Sequence, residues 1–85
     1  MKHRATPAFW ERYRALPREV QELADRCFAR LEDDPLHPSL YFKKVGRLLS
    51  ARVGLHYRAL AVEGPEGPVW YWIGSHAEYD RLLRG

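Results

Sequence analysis

The sequence predicts an α+β fold: two N-terminal helices packed on a small, mainly antiparallel four-stranded sheet, closed by a short C-terminal helix. Three observations predict it. Apolar residues recur at helical spacing through the first third of the chain, from Phe9 to Leu31. The second half alternates apolar and polar residues between turns rich in Gly and Pro. The segment 75–83, SHAEYDRLL, then begins with a serine that has a glutamate three residues on, the pattern of a capping box.

Each element follows in order. Thr6-Pro7 suits a helix start, because threonine caps and proline fits the first helical turn. Phe9, Trp10, Tyr13 and Leu16 then place one apolar face on a short helix over 7–15, which Leu16-Pro17 interrupts. A second helix starts at Pro17. Its stripe is Leu16, Val20, Leu23, Ala24, Cys27, Phe28 and Leu31, and its charged face includes Glu22 and Arg26 in the favourable i,i+4 order. Asp33-Asp34-Pro35 ends it. Strands are expected over SLYFKKV (39–45), RLLSARVG (47–54), HYRALAVE (56–63) and VWYWIG (69–74), the last three as an antiparallel meander. Leu49, Ala51 and Val53 should share one face of the sheet. Ser50 and Arg52 should lie on the other, and Arg58, Leu60 and Val62 should share a face of their own strand.

With 85 residues, one domain over 1–85 is expected. An apolar content of 46% fits a folded chain. The lone cysteine, Cys27, excludes an internal disulfide framework and is read as core. No apolar run is long enough to span a membrane, and MKHRATPAFWERYR has no apolar leader core. No membrane role and a cytoplasmic location are expected. His3, His37, His56 and His76 are scattered, so no metal or other cofactor is expected.

The net charge is +3, and its layout says more than its size. From Pro35 to Val62 the chain carries Lys43, Lys44, Arg47, Arg52 and Arg58 and no acid. Such a block favours an anionic partner, nucleic acid included. Arg52 and Arg58 flank a tight turn on adjacent strands and can offer paired guanidinium forks to a phosphate, or form surface ion pairs with Glu78 or Asp80. His76 leaves the end of the last strand, where an imidazole can act as acid or base or simply cap a helix. Tyr79, one turn on, can stack or donate a proton, or pack beside Leu82. A histidine, a tyrosine and arginines would suffice for attack of an RNA 2′-OH on the adjacent phosphate. The run Trp70-Tyr71-Trp72 exceeds what one small sheet face can bury, so an exposed aromatic interface is expected.

SARVGLHYRAL resembles the paired-arginine strands of the RelE/ParE superfamily, the toxins of bacterial type II toxin–antitoxin systems. WIGSHAEYDRLL resembles that superfamily's strand-end histidine followed by a tyrosine. The LP between the helices and DP…HPSL before the first strand are similar too, so the resemblance runs from about Phe9 to Leu83. It implies a RelE-like fold and a cognate antitoxin partner. It also implies ribosome-dependent cleavage of mRNA, the activity of an endoribonuclease or mRNA interferase. Carried onto this chain, Arg52 and Arg58 would hold the scissile phosphate. His76 would be the base, and Tyr79 a stacking or acid group. Lys43, Lys44 and Arg47 would contact the RNA backbone. Ala77 stands where many members carry an arginine. A second branch of the superfamily inhibits DNA gyrase, so the resemblance also admits a non-nuclease binding protein: a gyrase inhibitor, or an inactive relic that binds an antitoxin.

Overall fold

Thr6 and Pro7 start the first helix as their chemistry requires. The Thr6 hydroxyl accepts the Phe9 N–H at 3.2 Å and satisfies an orphan donor of α1 (Pro7–Arg14). The helix stops before Pro17, and α2 (Arg18–Asp33) follows at once. Gln21 staples the two together: its side-chain amide donates to the carbonyls of Tyr13, Leu16 and Arg14 at 3.0, 3.2 and 3.3 Å, covering the open end of α1. The expected Glu22–Arg26 pair gives way to Arg18–Glu22 at 3.7 Å, the reversed i,i+4 order on an exposed face.

The computed structural model describes residues 2–84. After α2 come β2 (Lys43–Val45), β3 (Leu48–Val53), β4 (Tyr57–Gly64), β5 (Gly67–Ser75) and α3 (His76–Arg84), while β1 (Arg4–Ala5) precedes α1. The sheet is five-stranded and mixed, in the order β1-β5-β4-β3-β2. This corrects the four-stranded expectation. β1 is two residues long and pairs parallel with β5, Arg4 with Val69 and Ala5 with Trp70. A segment that short has no alternation to read. The strand expected over 39–45 also shrinks to Lys43–Val45, because Pro38–Leu40 form a 3-10 turn and Tyr41 ends it in the left-handed region at φ 45°.

The two faces of the sheet carry separate cores. On the helix side, Leu49, Ala51 and Val53 of β3 meet Phe9, Ala24 and Leu31, together with Ala59 and Ala61 of β4. The α2 stripe is seated only in part. Ala24 and Leu31 are buried, whereas Leu23 stays half-buried, as do Cys27 and Phe28 beside a cleft of about 260 Å³. On the other face, Tyr79 of α3 packs on Leu60 and Trp72. The last three strands form the expected meander.

A bulge divides the tryptophans. Leu60 pairs with Trp72 but Ala61 pairs with Trp70, so Tyr71 is the extra residue in β5. Without it, residues 70 and 72 would share a face. With it, Trp70 enters the helix-side core and Trp72 the opposite one, at 2% and 8% exposure. The expected exposed aromatic interface is therefore corrected: only Tyr71 remains half-buried. Beyond β1 the free edge of β5 is covered by Arg12, whose Nε–H donates to the Ile73 carbonyl at 2.9 Å. Among the described residues no helix is long and apolar enough to cross a membrane.

Candidate functional site

Strand pairing creates the floor of the site. Arg52 of β3 lies directly opposite Arg58 of β4, and Arg58 lies opposite Gly74 of β5. Alternation puts this row on the face away from α1 and α2. Gly74 leaves no side chain beside Arg58; a Cβ there would come within 2.6 Å of the Trp72 ring and 2.9 Å of Glu78 Oε1. Arg58 is 9% exposed, and its Nη1 donates to the Tyr57 carbonyl at 2.8 Å. Burial first, and then the charge of Arg52, push its pKa down, against weaker pulls from Tyr79 and Asp80. Arg52 Nε is buried without a hydrogen-bond partner. Among the described residues neither guanidinium makes an ion pair, because Glu78 is taken by Arg12 and Asp80 by His76. Two adjacent cations without a carboxylate form a site for an oxyanion.

The wall is α3. Ser75 and Glu78 make the expected capping box: Glu78 N–H donates to Ser75 Oγ at 3.2 Å, and Ser75 N–H donates to Glu78 Oε1 at 3.0 Å. That hydrogen bond, with Arg12 nearby, holds the Glu78 carboxyl below its usual range despite some burial. His76 is fixed at both ends. Its backbone N–H donates to the His56 carbonyl at 2.7 Å, and its Nδ1 lies 3.1 Å from Asp80 Oδ2. A carboxylate at Nδ1 favours the tautomer whose proton sits there, leaving the Nε2 lone pair for chemistry. Asp80 thus pairs with His76 at i,i+4 rather than with either arginine.

Tyr79, expected to stack, to act as an acid or to pack beside Leu82, is turned into the protein. Its ring is buried at 8% exposure, and its hydroxyl is 2.9 Å from Ser50 Oγ. It anchors α3 to β3 and leaves no open face for a base. Ser50 is the partner that sequence reasoning missed, and its signal was its place in the alternation beside Arg52.

The rim cations separate by environment. Lys44 lies 3.6 Å from Glu63, both exposed. Lys43 stands over the Tyr41 ring at 4.4 Å, and the Arg52 guanidinium approaches the same ring at 5.2 Å. Arg47 is exposed in the β2–β3 turn. Arg12, also unanticipated, approaches the Trp72 ring at 5.0 Å and pairs with Glu78 at 3.3 Å, joining α1 to the wall. Among the described residues no group of three or more His, Cys, Asp or Glu side chains gathers as a metal site.

No family model and no curated protein matches the chain. A chain in the crystal structure of the RelB–RelE antitoxin–toxin complex from Methanococcus jannaschii is similar in structure. The TM-score is 0.72, over 93% of this chain and 96% of that one. The fold is RelE-like. At 12% identity the likeness carries the architecture and not the residues, so the site rests on its own geometry.

Proposed function

We propose that this chain is the toxin of a type II toxin–antitoxin pair and blocks translation by cutting mRNA on the ribosome. The observation that carries the reading is the Arg52–Arg58 pair, free of carboxylates and set beside a histidine oriented by Asp80. In the reaction, His76 Nε2 takes the proton of a 2′-OH and the freed oxygen attacks the adjacent phosphorus. A 2′,3′-cyclic phosphate forms, the bond to the 5′-oxygen breaks, and that oxygen takes a proton from solvent water. Arg52 and Arg58 stabilise the charge that builds on the phosphorane oxygens, the step where preorganised cations count most. Tyr79 acts by holding α3 against the sheet. Lys43 and Arg47 follow the RNA backbone, with Lys44 partly offset by Glu63. The chemistry calls for no metal.

The antitoxin partner is part of the same reading. It is supported by the assembly in which the similar chain was solved and by exposed Leu36, Leu55, Leu82 and Leu83, which a wrapping partner would cover.

Translating ribosomes incubated with the purified protein test the nuclease, with mRNA ends mapped afterwards. New ends bearing cyclic phosphate are expected, and His76→Gln should cut about 10²- to 10⁴-fold more slowly. Intact mRNA at stoichiometric protein overturns the reading. One observation favours a second: the Tyr79 hydroxyl is engaged by Ser50, so it is not held ready as the acid for the leaving 5′-oxygen. A non-nuclease protein, whether a DNA gyrase inhibitor or an antitoxin-binding relic, needs no such group. Growth inhibition that survives His76→Gln, with DNA breaks on expression, would select gyrase.

A further inference from the structure

Tyr41 lies within the segment expected as the first strand, yet its backbone is not that of a strand. It is the only non-glycine residue with positive φ among those described, at 45°, set by the 3-10 turn whose closing bond runs from its N–H to the Pro38 carbonyl at 3.2 Å. A left-handed backbone is unfavourable for tyrosine and mild for glycine or asparagine. Burial does not compensate, because the side chain is 55% exposed. What the conformation achieves is to hold an open aromatic ring at the rim of the arginine row, with Lys43 at 4.4 Å and Arg52 at 5.2 Å from its centroid. Strain kept at a rim without a packing return is characteristic of a ligand contact.

We propose that Tyr41 is a stacking platform for a nucleobase next to the phosphate held by Arg52 and Arg58. The inference rests on the RNA-cleaving reading of that site and adds to it the group that holds the base. The Tyr41 ring is exposed, so its cation–π contact with half-buried Arg52 is weaker than a guanidinium–phosphate hydrogen bond. An arriving phosphate therefore draws Arg52 off the ring, exposed Lys43 moves from it to the RNA backbone, and a π-face is bared for the base attached to that phosphate. The ring parks the cation until the ligand comes. Stacking needs only a π-face, so it accepts any base and contributes affinity more than sequence preference.

The test uses two single-stranded pentanucleotides, 2′-O-methylated so that neither can be cut, one with bases and one abasic. Binding to the purified full chain is followed by fluorescence anisotropy. Tyr41→Asn keeps a residue that tolerates the left-handed backbone while removing the ring. It should lose about 5- to 150-fold in affinity for the base-bearing oligomer and less than 2-fold for the abasic one. Tyr41→Phe should bind like the wild type. Arg58→Met should weaken both oligomers. If Tyr41→Asn leaves both affinities unchanged, or lowers both equally while Arg58→Met still weakens both, the platform is overturned and the phosphate site stands. If Arg58→Met changes neither, the phosphate site fails and the platform fails with it.

Discussion

Arg58 lies in a strand whose neighbours Ala59, Leu60 and Ala61 are buried, opposite a second arginine and a glycine. Among the described residues its guanidinium donates to one carbonyl, that of Tyr57, and its pKa is pushed down by burial and by Arg52. A buried charge without a counter-ion costs stability, and an apolar side chain of similar length removes that cost. Arg58→Met is therefore expected to stabilise the fold by on the order of 1 kcal/mol, which in a domain this size raises the melting temperature by about 4–8 °C. The same change should weaken oligonucleotide binding. Thermal denaturation by circular dichroism checks the first half, and a lower melting temperature would mean that Arg58 supports the fold. Ser50 and Tyr79 present the opposite case, a buried pair in which each satisfies the other at 2.9 Å. Tyr79→Phe leaves the serine unsatisfied and should cost about 1–3 kcal/mol. Ser50→Ala combined with Tyr79→Phe should recover much of that loss, a coupling that a double-mutant cycle in urea measures.

At the scale of elements, the N-terminal strand is held by a histidine. Trp70 Nε1–H donates to His3 Nδ1 at 3.0 Å, the His3 ring stacks on Trp70, and it meets the edge of Phe28 from α2. Burial lowers the His3 pKa from 6.5, and Glu32 opposes the shift. The unfolded chain thus takes up this proton at higher pH than the folded one, so stability is full above pH 6.5 and falls as pH drops through the window beneath it. Glu78, whose pKa is lowered from 4.5, begins to lose its contribution only below that pH, so the His3 window opens first. The urea midpoint should fall between pH 7.5 and pH 5.5, and His3→Gln, which keeps an acceptor and cannot titrate, should flatten the drop. An unchanged drop in His3→Gln would assign it elsewhere. This strand also marks where sequence reading stops. The helices were legible because periodicity and caps are local properties: Thr6, the α2 stripe and the Ser75–Glu78 box each announce themselves within a few residues. β1 has two residues and owes its existence to an edge of β5 supplied from more than sixty positions away. The Tyr71 bulge was hidden for a related reason, since a register shift exists only relative to the partner strand. Arg52, Arg58 and His76 could be named from residue type and order, whereas Tyr41 became visible only through its backbone conformation.

For the whole molecule, the arrangement of charge matters more than its sum. The acid-free segment Pro35–Val62 folds into β2, β3 and most of β4, the half of the sheet opposite β1. The cations of α2 sit instead among acids on the same helix. A single-stranded polyanion bound along the basic half releases counter-ions for each phosphate neutralised, so the logarithm of affinity falls with the logarithm of salt by about 0.7 per contact. Arg47, exposed in the β2–β3 turn, should count as one such contact. Arg26, exposed on α2, should count as none. Titrating the non-cleavable pentanucleotide between about 50 and 200 mM salt should therefore give a slope shallower by about 0.7 for Arg47→Gln and unchanged for Arg26→Gln. Glu63→Gln, which frees Lys44 from its neighbour at 3.6 Å, should steepen it. Because all three substitutions change the net charge by one unit, a general attraction set by total charge would shift Arg47→Gln and Arg26→Gln alike. Equal slopes for that pair would remove the basic half of the sheet as the path of the RNA.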